Sequence, residues 1–242
     1  MVVHSNSTLE NVSEALVQKI SARIAQNEPV LFLVSGGSSA PIAVDVCRKL
    51  TQRFPSKNDR MRWLLTLSLI DERFGPEGHP DSNWALLESL GLDHRAFMIV
   101  PVLGSKTNGS ADLENTVKHF DTFLNTAAEK HAAGNMFIAG LLGIGKDGHT
   151  AGILADSPAA ADSHDSLAIA YKSALFTRIT ITPAFFQHID YAAVWAGGEE
   201  KKKTLEQLGS DIPPVIHPAQ YLKRIAECDI FTDVPQKIDE GL

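Results

Sequence analysis

Apolar positions along the chain recur with two different periods. Between residues 8 and 26, Leu9, Val12, Leu16, Ile20 and Ile24 return every three or four positions, which predicts an amphipathic helix. Ser7 and Glu10 predict a capping box at its start. At 30–34 the pattern becomes an unbroken apolar run, VLFLV, and predicts a buried strand. The polar turn SGGSSAP follows, then a helical pattern over 42–50. The alternation continues with a strand at 64–70, a helix near 82–90 and a strand within AFMIVPV at 96–102. A long helix is predicted over 111–132 and a strand at 136–142. Further strands are predicted at 167–171, 178–182 and 190–196, and a last helix near 199–208.

Apolar strands alternating with helices predict an α/β fold. The expected form is a Rossmann-like, three-layer, open and mostly parallel sheet with helices on both faces. No repeat, low-complexity tract or linker divides the chain, so residues 1–242 are read as one domain.

Composition narrows the function more than the fold. The chain is 44% hydrophobic and 21% charged, as soluble globular proteins are. No apolar run approaches the roughly 20 residues of a membrane span, and the first residues lack the pattern of a signal peptide. Cys47 and Cys228 are read as reduced thiols, and the expected location is cytoplasmic. A net charge of −7 with no basic face argues against nucleic acid. No His-x-x-His or Cys-x-x-Cys pair predicts a metal site, and no metal or cofactor is expected. An anionic small molecule remains compatible if positive groups gather locally.

In an open parallel sheet, ligands bind beyond the carboxyl ends of the strands. Four segments at such ends carry unusual residues. Ser35-Gly36-Gly37-Ser38-Ser39 combines close backbone approach with a following helix N-terminus, which makes a phosphate cradle; the same residues also suit a plain tight turn. Asp71-Glu72-Arg73 puts charge directly after an apolar run, with Arg73 able to grip a phosphate or to sit in a solvated ion pair. LLGIGKDGHTAGIL contains a GxGxxG, but it lies past the middle of the chain and lacks the acidic residue that a dinucleotide site needs at the next strand end. Its glycines are better read as shaping a turn that presents Asp147 and His149, a carboxylate–imidazole pair suited to proton transfer. A capping Asp beside a structural His is the plainer alternative. Gly197-Gly198 before Glu199-Glu200-Lys201 is a weaker anion turn, in which only Lys201 stands out as a ligand candidate.

Taken in order, these segments resemble the 6-phosphogluconolactonases, which form a superfamily with the glucosamine-6-phosphate deaminases. LVSGGSSAP resembles the family's phosphate loop. IDERF with downstream DSNWALL resembles its Asp-Glu-Arg and Ser-Asn block. GIGKDGHTA resembles its most specific signature, and RITIT and GGEEK resemble two later segments. The resemblance implies hydrolysis of 6-phospho-D-glucono-1,5-lactone in the oxidative branch of the pentose phosphate pathway, with a phosphorylated sugar lactone as the partner. It implies His149 as general base, Asp147 as its support and Asp71 as a pocket carboxylate. It further implies Ser35, Gly36, Gly37, Ser38, Ser39, Arg73, Asn83, Arg178 and Lys201 as substrate or phosphate ligands. The deaminase branch carries Tyr where this chain has Arg73, and Glu where it has Leu154, five residues after the histidine. A deaminase and a non-catalytic sugar-phosphate-binding domain are the alternatives. The segment before Val30 fits one helix, so no DNA-binding helix-turn-helix is expected in it.

Overall fold

The computed structural model describes residues 1–55, 60–104 and 113–235. In chain order its elements are β1 (Val2–His4), α1 (Leu9–Ala25), β2 (Val30–Val34), α2 (Ala40–Arg53), α3 (Arg60–Leu64), β3 (Leu65–Leu69), β4 (Asp71–Arg73) and α4 (Asn83–Ser89). Then come β5 (Met98–Val100), α5 (Leu113–Ala132), β6 (Phe137–Gly143), β7 (Ala168–Lys172), β8 (Thr177–Ile181), β9 (Tyr191–Trp195), α6 (Lys202–Leu208) and β10 (Glu227–Phe231). The first two residues of the expected 111–132 helix lie outside the described residues.

Seven parallel strands form the main sheet, in the order β1-β10-β9-β6-β2-β3-β5. Its centre is β2 and β6, whose apolar residues are buried on both faces, as a covered parallel sheet requires. Leu31, Thr66 and Met98 are neighbours across β2, β3 and β5, so they share a face. Phe123 and Ala127 of α5 lie against that face. Helix α1 packs along β9 and β6, with α2 beside it. The expected mostly parallel sheet with helices on both faces is what the chain forms.

Four details differ from the sequence reading. The N-cap of α1 is Thr8, and the reciprocal box is Thr8 with Asn11 instead of Ser7 with Glu10. Ser7 donates to the His4 carbonyl and is buried there by the strand before it. Strands β1 and β10 add an edge to the main sheet that the apolar pattern does not announce. Residues 168–172 and 177–181 leave the parallel sheet altogether: β4, β8 and β7 make a second, antiparallel sheet of three strands. Finally, the charged Asp71-Glu72-Arg73 is a strand of that sheet and not a solvated loop.

Cys47 and Cys228 are both free and buried, and burial pushes both thiols up to about 12. Among the described residues, no helix is long and apolar enough to cross a membrane.

Glu72 is fully buried and ties β4 to α4. Its carboxylate accepts from Arg73 N (2.7 Å), Ser82 Oγ (2.8 Å), Asn83 N (2.7 Å) and Trp84 N (3.1 Å). Two of these donors, Asn83 N and Trp84 N, are first-turn amides of α4 with no intrahelical acceptor, and Ser82 is its N-cap. Burial raises the Glu72 pKa, and the hydrogen bonds oppose that rise. Glu72→Ala strands all four donors and should cost about 3–5 kcal/mol, the scale for orphaning several buried groups. Urea unfolding measures it; a midpoint equal to that of the wild type would show that α4 is held by something else.

Candidate functional site

A cleft of about 250 Å³ opens at the carboxyl ends of β2 and β6. One wall is Ser35–Ser39. After β2 the chain passes through Gly36, turns at Gly37 (φ +59°) and enters α2 through a single helical turn, Gly37–Ser39. Gly36 is required there, because a Cβ would sit 1.9 Å from Asn83 Oδ1. Ala40 N is bonded to the Gly37 carbonyl and Pro41 has no N–H, so the end presented to the cleft is the Gly37–Ser39 turn, whose N-cap Gly36 makes no side-chain cap bond. Ser35 Oγ and Asn83 Oδ1 are buried without a hydrogen-bond partner.

The second wall is the small sheet. Side chains alternate along a strand, so Asp71 and Arg73 share one face of β4 while Glu72 points the other way. Directly opposite on β8, Arg178 pairs with Arg73 and Thr180 with Asp71; on β7, Tyr171 is opposite Arg178. Asp71 is buried, with Arg178 Nη1 at 3.5 Å. Burial raises its pKa against the pull of Arg178, Arg73 and His149. Tyr171 donates to the Gly152 carbonyl (2.5 Å), and Thr180 donates to the Ala151 carbonyl. Both bonds clamp the small sheet onto the turn that follows β6.

That turn is the third wall. Ile144 pairs with Thr150, Gly145 N bonds to the His149 carbonyl (2.8 Å), and Thr150 Oγ1 bonds to the Gly143 carbonyl (2.9 Å). His149 Nδ1 is 2.5 Å from Asp147 Oδ1. Gly145 makes room for the pair: a Cβ would lie 2.0 Å from His149 Nδ1 and 2.5 Å from Asp147 Oδ1. Partial burial pushes the Asp147 carboxyl up, but the charge and hydrogen bonds of His149 outweigh it and hold the group below the usual carboxylate range. An imidazole whose Nδ1–H is donated to a carboxylate keeps Nε2 as its free, basic nitrogen. His149 borders the cleft, and Asp147 stands behind it.

Every other ligand candidate also borders the cleft: Ser35, Gly36, Gly37, Ser38, Ser39, Asp71, Arg73, Asn83, Arg178 and Lys201. At Gly197-Gly198, the Gly198 N–H is engaged within the protein, donating to the Asp233 carboxylate (2.8 Å). Lys201 alone reaches the cleft from that segment. The sequence reading missed Glu72, Tyr171, Thr180 and His217. The Arg178-Ile-Thr180-Ile alternation marked a half-buried strand whose polar face could have been followed. His217 lies against Gly148. It is buried with both ring nitrogens unpartnered, and burial lowers its pKa. Among the described residues, no group of three or more His, Cys, Asp or Glu could hold a metal ion.

Residues 4–230 match the family model described as glucosamine-6-phosphate isomerases/6-phosphogluconolactonase. The chain belongs to this family. Its curated relatives include 6-phosphogluconolactonases of Neisseria meningitidis, 27% identical over 82% of each chain, and of Helicobacter pylori, 26% identical over 87% of each chain. Among solved structures, the Trypanosoma brucei 6-phosphogluconolactonase is 23% identical, with a TM-score of 0.70 over 96% of this chain and 95% of its own. The Thermotoga maritima enzyme gives 20%, 0.69, 96% and 98%. At those identities the structures establish that this family member shares their fold.

The buried Asp71 yields a pH prediction. A carboxyl whose folded pKa is raised opposes folding once ionised, so its penalty is absent at low pH and grows as pH rises through the carboxylate range. Asp71→Asn removes that ionisation. Its stability relative to the wild type should therefore increase from pH 3 to pH 7 in thermal or urea unfolding. A difference that is flat with pH would mean that Arg178 and Arg73 fully offset the burial.

Proposed function

We propose that the protein hydrolyses 6-phospho-D-glucono-1,5-lactone to 6-phospho-D-gluconate, a step of the oxidative branch of the pentose phosphate pathway. The observation that carries the reading is the meeting of the Asp147–His149 pair with two arginines and the Ser35–Ser39 loop at one cleft. The names of the relatives support it.

In this reading His149 Nε2 takes a proton from water as the water oxygen attacks the lactone carbonyl carbon. Asp147 holds the ring and stabilises the imidazolium that forms. The tetrahedral intermediate collapses by breaking the bond to the ring oxygen, which receives the proton from imidazolium. The new carboxylic acid then loses its proton to water. Ser35, Gly36, Gly37, Ser38, Ser39, Arg73, Arg178 and Lys201 hold the phosphate end. Asp71 and Asn83 accept hydrogen bonds from sugar hydroxyls; Asn83 Oδ1 has no partner of its own to give up.

Where the deaminase branch carries an acid, Leu154 packs its aliphatic side chain against the core and lends its backbone N–H to Tyr171 Oη (3.3 Å). That side chain can neither carry a proton nor orient an imidazole. The protein should hydrolyse the lactone above its spontaneous rate and release no ammonia from glucosamine 6-phosphate. Enzyme-dependent ammonia release with fructose 6-phosphate formation would make it a deaminase. Binding of sugar phosphates without turnover of either compound would leave a binding domain.

His149→Ala should lower kcat by about 10²–10⁴-fold, the usual contribution of a positioned general base. Wild-type turnover in a folded His149→Ala protein would remove His149 from the chemistry.

A further inference from the structure

Arg73 and Arg178 stand directly opposite one another on adjacent antiparallel strands. Like charges in that register repel and normally turn apart. Here both guanidinium groups lie over one aromatic ring, Phe176, at 5.4 and 5.7 Å from its centroid. The distances are within the range of cation–π attraction. Among the described residues, Phe176 is not part of the hydrophobic core. Its backbone is fixed, however. Its N–H donates to Ser173 Oγ (3.1 Å), and its carbonyl accepts from Ser173 N (2.8 Å) and Ser173 Oγ (2.7 Å), closing the turn between β7 and β8. Phe74 N on the β4 side bonds to the Thr177 carbonyl (2.8 Å), so the turn is anchored to both arginine-bearing strands.

The two arginines spend little of their hydrogen-bonding capacity on the protein. Arg73 Nη1 donates to the Asp81 carbonyl (2.8 Å), and Arg178 Nη1 reaches Asp71 at 3.5 Å. The Nε atoms of both are buried without partners. Two guanidinium groups face one buried carboxylate, which leaves an excess of positive charge at the cleft.

We propose that Phe176 is a positioning residue that binds Arg73 and Arg178 into a single clamp for a dianionic phosphate. The ring's negative face offsets the repulsion between the guanidinium groups and holds their free donors towards the same point. Phe176 thus sets the preference for a phosphorylated over an unphosphorylated lactone without touching either. The inference rests on the phosphorylated-lactone reading only for the identity of the substrate; the clamp itself is testable with inorganic phosphate.

Phe176→Leu keeps an apolar side chain and removes the ring, and Phe176→Tyr keeps the ring. Phosphate affinity, read by calorimetry, should weaken about tenfold in Phe176→Leu and stay within about twofold in Phe176→Tyr, in line with the loss of two cation–π contacts. For the phosphorylated lactone, KM should rise by a similar factor with kcat nearly unchanged. Turnover of unphosphorylated glucono-1,5-lactone should not change. Replacing the ring by its trifluoro form, which keeps the shape and drains the negative face, should reproduce the Leu phenotype even if Phe176→Leu folds poorly. A Phe176→Leu or trifluoro protein that binds phosphate as the wild type does overturns the proposal, as does an equal loss on both lactones. If phosphate binding follows the ring while the wild type hydrolyses neither lactone, the functional reading fails and the clamp stands.

Discussion

The cleft depends on one buried carboxylate that never faces it. Glu72 gathers the first N–H groups of α4 and the backbone of β4 around its two oxygens. Period-two alternation then leaves Asp71 and Arg73 no choice of face: with Glu72 turned towards α4, both point at the cleft. The same anchor sets Asn83, whose amide donates to the Asp71 carbonyl (2.9 Å) and whose oxygen presses against Gly36. Strand, helix and the Ser35–Ser39 loop are therefore fixed relative to one another by a single ionisable group. The cost of burying it is met by four donors that would otherwise be orphaned.

A second constraint runs the other way. Buried polar atoms in folded proteins nearly always find partners. Here Ser35 Oγ, Asn83 Oδ1, Arg73 Nε and Arg178 Nε do not, and all four residues border the same cleft. Ala151, in the left-handed region at φ +50°, adds backbone strain at the same place. These free donors and acceptors are the groups a polar ligand in the cleft would meet. The site is organised before the ligand is present, and the surrounding apolar sheet supplies the stability that allows it.

How much of this was legible in the sequence follows from which interactions are local. The frame of β2, β3, β6 and β9 reads directly, because strands buried on both faces are apolar runs. The Ser35–Ser39 loop and the Asp147–His149 turn stood out through their shared position at strand ends, since each alone also suits a plain turn or a helix cap. Strand β10 was hidden by its own chemistry. Glu227 and Asp229 interrupt the apolar positions, yet both find partners elsewhere, Glu227 in an ion pair with Lys19 and Asp229 in hydrogen bonds with His4 Nε2 and Tyr191 Oη. The small sheet was hidden by distance. Three charged residues at 71–73 carry no strand signal, and their partner lies at 177–181. Only the pairing turns Arg178 from an isolated cation into a neighbour of Arg73. His217 had no signal at all, because its contact with Gly148 is made by a segment that carries no regular pattern.

Net charge left an anionic small molecule open only if positive groups gather locally, and the structure shows how they do. Surface charges act over a Debye length of about 8–10 Å in physiological salt. The acidic groups of α1, α2 and β10 are also engaged locally: Glu14 and Asp45 by Lys49, Glu227 by Lys19. They contribute little at the cleft. There the field is set by Arg73, Arg178 and Lys201, against Asp71 and the partly exposed Asp147. The two carboxylates are not interchangeable. The Asp147 carboxyl is held below its usual range by His149, to which it is hydrogen-bonded, while Asp71 is pushed towards its neutral form by burial and sits between the arginines and the turn. One cleft thus holds a cationic end and a separate carboxylate–imidazole pair. The small antiparallel sheet joins them, because Arg178 and Thr180 lie two residues apart on one strand, the first facing Arg73 and the second bonded to the turn that carries His149.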